Sequence, residues 1–221
     1  MKPISTDCNS WRAGFTLLEL LVVCAIMGGL LVFAVPAVGP LLMASKINKS
    51  ASLVNDELNY AHQLALAQNM DVEVRFYQLP SKSGGSDLRY RALRLFAATN
   101  DSLSKRALSA VKYFPDSIIM TTAKDSSGNL LSTLLDVGNG SRIGLVSGIE
   151  NLPSAQATPY VSFMFRSTGG TTLSPVDPPL GNWYVTICAD HGLVIAGAGI
   201  PANYCTVQIE PVTGRARSYR P

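Results

Sequence analysis

Hydrophobic and polar positions divide the chain into three stretches. From Phe15 to Ala44, thirty positions carry one charged residue, Glu19. A helix crossing a hydrocarbon core needs about 20 apolar residues, so this run is long enough to span. From about Leu41 the pattern becomes amphipathic. Ala51, Val54, Leu58, Ala61 and Ala65 recur at helical spacing, with Lys46, Lys49, Asp56, Glu57 and Gln68 between them. This predicts a helix ending near residues 69–71. Joined to the apolar run, it makes one long N-terminal helix, with a break expected at Pro36 and further weakening at Gly28, Gly29, Gly39 and Pro40.

Beyond residue 71 the period shortens to two. Val72, Val74 and Phe76 alternate with Glu73 and Arg75, which predicts a half-buried strand over 72–79. PSKSGGSD (80–87) reads as a turn, and residues 88–97 return as the second strand of a hairpin. Further strands are expected at 110–114, 117–121, 160–166, 183–188, 205–210 and 215–219. Residues 122–158, rich in Gly, Ser, Asn and Asp, give no clear pattern. A long helix followed by antiparallel strands is an α+β pattern, with the helix covering one sheet face.

Composition narrows the function classes. The 221 residues are 15% charged with a net charge of +3, against about 25% charged for ordinary soluble domains. Residues 45–221 have room for one domain. The net charge is too small to imply a nucleic-acid partner without a local patch. Cys8, Cys24, Cys188 and Cys205 form no C-x-x-C pair, and His62 and His191 are the two histidines. A zinc site of ordinary spacing is excluded, and no metal or other cofactor is expected. Cys24 reads as a small apolar residue and His62 as a boundary histidine.

The N-terminal stretch admits three readings. A secretory signal should have an apolar region of about 7–15 residues, shorter than this one. A plain membrane anchor leaves Glu19 unexplained, because a carboxylate near hydrocarbon is costly. The third reading rests on Gly14-Phe15-Thr16-Leu17-Leu18-Glu19 after a short leader carrying Lys2 and Arg12. This segment resembles the processing site of type IV pilins and type II secretion pseudopilins. The resemblance implies a leader over 1–14, cleavage by prepilin peptidase between Gly14 and Phe15, and N-methylation of Phe15. It also implies a membrane and assembly helix over 15–44 and a periplasmic pilin-like domain over 45–221. Glu19 then falls fifth in the mature chain, where it pairs with the Phe15 amine of a neighbouring subunit. Pro36 falls twenty-second, where many members carry proline. The implied place is the bacterial inner membrane, crossed once, and the implied partners are the peptidase and other pilin subunits.

Within that group the strand order resembles the H-type pseudopilin or FimT-like minor members, and more closely the family named Verru_Chthon cassette protein D. The carriers are Val72-Glu73-Val74-Arg75-Phe76-Tyr77, Arg91-Ala92-Leu93-Arg94-Leu95-Phe96 and the ending Ile209 to Pro221. The implied function is a minor pseudopilin of a type II secretion-like filament.

Other candidates weigh less. Gly197-Ala198-Gly199-Ile200-Pro201-Ala202 imitates a dinucleotide fingerprint, but Pro201 and the strand-like segment after it leave no helix to open. Asp190-His191 lacks a nucleophile elbow, so no catalytic residue is assigned and no enzymatic activity is expected. Asp136 to Ser141 offers oxygens but lacks the acidic density of a calcium loop. Cys188 and Cys205, near the ends of two strands, are a candidate disulfide in an oxidising compartment; the alternative is two buried thiols. Arg215, Arg217 and Arg220 form a basic cluster with Tyr219. Its ordinary reading is a charged edge strand. Gly214-Arg215-Ala216-Arg217 also resembles the G-R-x-R motif that FimT-like proteins of DNA-uptake pili use for DNA. A DNA-binding minor pilin is therefore the runner-up function, and a membrane-anchored domain that never assembles is the third.

Overall fold

A computed structural model describes residues 14–81, 87–98, 105–124, 127–136, 143–153, 155–176, 182–190 and 203–220; for 31–38 and 155–156 it describes the backbone alone. The chain divides into two compact units, Met1–Leu42 and Met43–Pro221.

Among the described residues the elements are one helix, α1 (Leu17–Gln68), and nine strands. The strands are β1 (Val72–Leu79), β2 (Arg89–Ala97), β3 (Lys112–Tyr113), β4 (Ile118–Thr121) and β5 (Val146–Leu152), followed by β6 (Ala155–Phe165), β7 (Trp183–Ala189), β8 (Tyr204–Ile209) and β9 (Ala216–Tyr219). The helix is continuous through position 36, so the break expected there does not interrupt it. A proline removes a single helical hydrogen bond, which long apolar helices tolerate; the side chain of Pro36 lies outside the described residues. Among the described residues no helix is long and apolar enough to cross a membrane. The run expected to do so takes in 31–38, whose side chains lie outside them.

In the second unit the helix buries the predicted stripe and extends it by one turn, to Ile47. Ile47, Ala51, Val54, Leu58, Ala61 and Ala65 are all at most 2% exposed. Their spacing alternates four and three, which holds one face along the helix. Three of the six are alanines, short enough to bring the helix close to the sheet. The C-terminus closes locally. Asn69 takes φ 49°, and the Met70 N–H donates to the Ala65 carbonyl at 3.2 Å. This is a Schellman end with asparagine as the left-handed residue.

The sheet runs β5-β6-β1-β2-β4-β7-β8-β9, with β3 paired to β2 off that path, and every named pairing is antiparallel. Its helix-side face contributes Val72, Val74, Phe76, Leu93, Leu95, Phe163, Trp183, Val185, Val207 and Ile209 to one core with the α1 stripe. The predicted hairpin is present, with Val74 opposite Leu95 and Arg75 opposite Arg94.

β1 departs from the expectation of a half-buried strand. Glu73 and Arg75 are buried along with Val72, Val74 and Phe76. The sheet carries a second, smaller core of Tyr77, Leu79, Ala92, Phe96 and Leu152, and the two charges sit within it as a satisfied group. Arg75 donates to both Glu73 oxygens at 3.0 and 3.1 Å and to Glu150 at 2.7 Å. Its guanidinium lies over the Phe96 and Tyr160 rings, 4.2 and 4.4 Å from their centroids. Lys105 also reaches Glu73, and the Tyr77 hydroxyl donates to Glu150 at 2.6 Å. Charges leave water only when paired in this way.

Burial alone raises the Glu73 carboxyl, but bonds from Arg75 and Lys105 outweigh it and hold the group below 4.5. A carboxylate with a depressed folded pKa contributes stability at higher pH, and loses it as pH falls through the folded value. The urea midpoint should therefore drop on acidification below about pH 4.5, and part of that drop should vanish in Glu73→Gln. An unchanged pH profile in the variant would count against the cluster. Leu58→Ala should cost about 2–5 kcal/mol by the same urea assay, since it leaves a cavity between helix and sheet.

Candidate functional site

Two surfaces hold the sequence candidates, one in each unit. The first is the start of α1. Thr16 precedes the helix, and its hydroxyl accepts the Glu19 N–H at 3.2 Å. The Glu19 carboxylate lies 3.5 Å from the Thr16 N–H, a long reciprocal contact. This is a capping box, in which the cap and the third helical residue satisfy each other's backbone donors. The T-x-x-E spacing that signals it was present in the sequence. Glu19 thus sits in the first turn, where a negative charge complements the helix dipole.

Around this cap the surface is apolar and open. Phe15 is 79% exposed, and Gly14 has nothing within 4 Å of where a side chain would start. Leu17, Leu18, Leu20, Leu21, Val22, Val23, Ile26, Met27 and Leu30 are all exposed. A patch of this kind on a soluble protein marks a protein or membrane contact.

The second surface is the face of β7, β8 and β9 turned away from the main core. Its Trp183, Val185, Val207 and Ile209 alternate inward, which turns Tyr184, Thr206 and Gln208 to the other side. Gln208, Glu210, Thr213, Arg215, Arg217 and Tyr219 line a cavity of about 270 Å³. A second hollow shares Gln208 and Tyr219 and adds Asn182, Tyr184 and Thr206. Arg215 and Arg217 therefore face one groove, as an i, i+2 pair should. Arg220 does not join them. Its guanidinium donates to Asn48 on α1 at 3.0 Å and to Asn203 at 3.1 Å. The three-arginine cluster reduces to two, because Arg220 bonds to the helix on the other side of the sheet.

The turn that delivers these arginines is held by close packing. Gly214 takes φ +67°, and a Cβ there would stand 2.7 Å from the Gly169 carbonyl oxygen and 2.9 Å from the His62 ring. His62 Nε2 meets the same Gly169 oxygen at 2.9 Å and must donate to it. Its ring packs on Phe165 at 5.6 Å. Thr171 donates both its N–H and its hydroxyl to Pro211 O at 2.9 Å. His62 is therefore a tie between α1 and two turns; nothing in its local sequence signalled those partners.

The candidate disulfide fails on register. Ile187 is opposite Cys205, and Cys188 is opposite Tyr204. Paired residues share a face and neighbours alternate, so the two cysteines point to opposite sides of the sheet. Both are free and buried, and Cys24 is free and exposed. Burial, with Asp190 nearby, pushes the Cys188 thiol up to about 11. Burial also raises Cys205, whose Sγ donates to Tyr219 O at 3.3 Å.

Among the remaining candidates, Asp190 pairs with buried Arg91, a structural tie between β2 and the end of β7; His191 lies outside the described residues. So do residues 137–141 of the oxygen-rich loop and the glycine string 197–202. Among the described residues no group of three or more His, Cys, Asp or Glu could hold a metal ion.

No family model matches the chain, and no curated protein matches it. One solved structure that resembles it is the minor pseudopilin EpsH from the type 2 secretion system of Vibrio cholerae, at 12% identity. The similarity covers 80% of this chain and 98% of that one, with a TM-score of 0.41. A likeness this distant assigns no function, and what is established is an α+β chain with a long N-terminal helix on an antiparallel sheet.

Two outcomes check this geometry. Gly214→Ala should destabilise the domain by about 1–3 kcal/mol, because it forces a side chain into a left-handed, crowded position; a wild-type urea midpoint would contradict the packing. Peptide mapping after alkylation of unreduced, denatured protein should find Cys188 and Cys205 both alkylated. A 188–205 bridge would overturn the register.

Proposed function

We propose that the chain is a minor pseudopilin-like subunit that assembles through its N-terminal helix into a type II secretion-like filament and catalyses no reaction. The observation that carries this reading is Gly14-Phe15-Thr16-Leu17-Leu18-Glu19 standing at the first turn of α1, with the cap formed by Thr16 and Glu19. Gly14 gives a peptidase open access to the backbone. Cutting after it leaves the Phe15 amine one residue ahead of the capped turn.

In this reading Phe15 to about Ala44 lies in the inner membrane, and the sheet domain faces the periplasm. A carboxylate at that depth is costly when unpaired. The Phe15 amine of a neighbouring subunit offsets the cost, and the pair forms only in the docked register. Glu19 thus distinguishes docked from slipped packing, while its cap bond aligns it within its own helix. A static anchored domain has no use for such a group.

Glu19→Lys in the full chain should abolish recovery of the subunit in sheared filaments while leaving it in the membrane fraction. Incorporation at the wild-type level would sink the assembly role and favour a plain anchor.

A second reading, a DNA-binding minor pilin for uptake, is favoured by Arg215 and Arg217 lining one groove with Tyr219. Two phosphate contacts would give weak duplex binding, with a log–log salt slope of about −2. Arg215→Gln with Arg217→Gln should remove that binding. If the wild type shows none at low salt, the secretion reading stands alone.

A further inference from the structure

We propose that the outer edge of β9 and its adjoining groove bind an extended peptide strand with acidic residues at alternate positions, supplied by a neighbouring protein subunit. Only the source of the strand rests on the subunit reading above.

The edge is open in a defined way. The Glu210 N–H donates to the Arg215 carbonyl at 2.9 Å. Gln208 opposite Arg217 and Thr206 opposite Tyr219 continue that register. In an antiparallel ladder, closely bonded pairs recur at every second residue. Arg215, Arg217 and Tyr219 therefore turn their backbone groups toward β8, and Ala216 and Ser218 turn theirs outward. Among the described residues no strand pairs with β9 on that side.

Side chains supply the selectivity. Arg215, Arg217 and Tyr219 line the same cavity. A strand added to β9 would lie about 4.8 Å away and place alternate side chains on that same face. Carboxylates two residues apart on it meet Arg215 and Arg217, each able to accept two charge-assisted bonds from a guanidinium. Glu210 lines the same cavity. Its carboxylate opposes an uninterrupted run of phosphates, whereas a peptide can place a neutral or basic residue there. Ser218 is small and exposed, so nothing bulky guards the edge at its centre. A nucleic acid can meet the arginines but has no ladder of amide and carbonyl groups to complete Ala216 and Ser218.

The test uses the full chain in detergent micelles and three fluorescent probes of equal charge. These are a peptide of alternating threonine and glutamate, a peptide of the same composition with the glutamates in one block, and a single-stranded oligonucleotide. The alternating peptide should bind best and weaken with salt. Arg217→Gln should reduce its affinity about tenfold, as expected for losing a charged hydrogen-bond donor. Ser218→Pro removes an outward N–H without touching the β8 ladder. It should reduce peptide affinity at least as much, with an unchanged melting temperature; should it fold poorly, Arg217→Gln and the blocked peptide decide. Equal binding of both peptides, or wild-type affinity in a folded Ser218→Pro, would overturn strand addition. Tighter binding of the oligonucleotide would overturn it in favour of nucleic acid. No binding of the alternating peptide at low salt would also overturn it, while leaving the Glu19→Lys result untouched.

Discussion

Burial of the α1 stripe against the sheet is the contact on which the second unit depends. Six side chains from Ile47 to Ala65 are buried in a core shared with β1, β2, β4, β6, β7, β8 and β9. In a folded protein most of a helix's stability comes from packing its apolar face, and here that face packs on the sheet. Within the second unit, the C-terminal part of α1 is thus the lid of the folded domain. His62 and Arg220 add ties from its flank to the turns and the last strand, so the position of the arginine groove is referred back to α1.

The opposite face is organised by charge. Arg75 occupies the centre, bonded to two carboxylates and stacked over two aromatic rings. Such a group is demanding: every hydrogen bond must be met, or desolvation outweighs attraction. What it supplies is specificity of pairing. It joins β1 to β5 through Glu150, and a one-residue slip of β1 would push Val74 and Phe76 into this polar site.

The helix stripe, the first hairpin and the strands of the C-terminal third were legible because their periods are long and clean. The charged face of β1 was misread for a physical reason. Alternation reports that two faces differ, and a paired buried ion group alternates just as a solvated face does. The cover comes partly from β5 and the start of β6, in a stretch whose short polar residues carry little pattern. The cysteines failed similarly, since proximity of two strand ends says nothing of parity, and one residue of register decides which face a thiol occupies. The i, i+2 spacing of Arg215 and Arg217 puts both on one strand face, where they line one groove. Arg220, three residues on, falls on the other face by the same rule. The capping role of Thr16 was written in the sequence but was overshadowed by the motif around it.

A capped, apolar, exposed first turn carries a carboxylate suited to pairing with a neighbour's amine. Far along the chain, an open strand edge beside two arginines is suited to a neighbour's strand. Both describe a molecule completed by its partners, and the first presupposes that the working chain begins at Phe15, two residues ahead of α1. The most direct check is mass spectrometry of the N-terminus after co-expression with a prepilin peptidase. The account predicts a mature chain beginning at methylated Phe15. A chain left uncut under those conditions, or cut anywhere other than after Gly14, would contradict it.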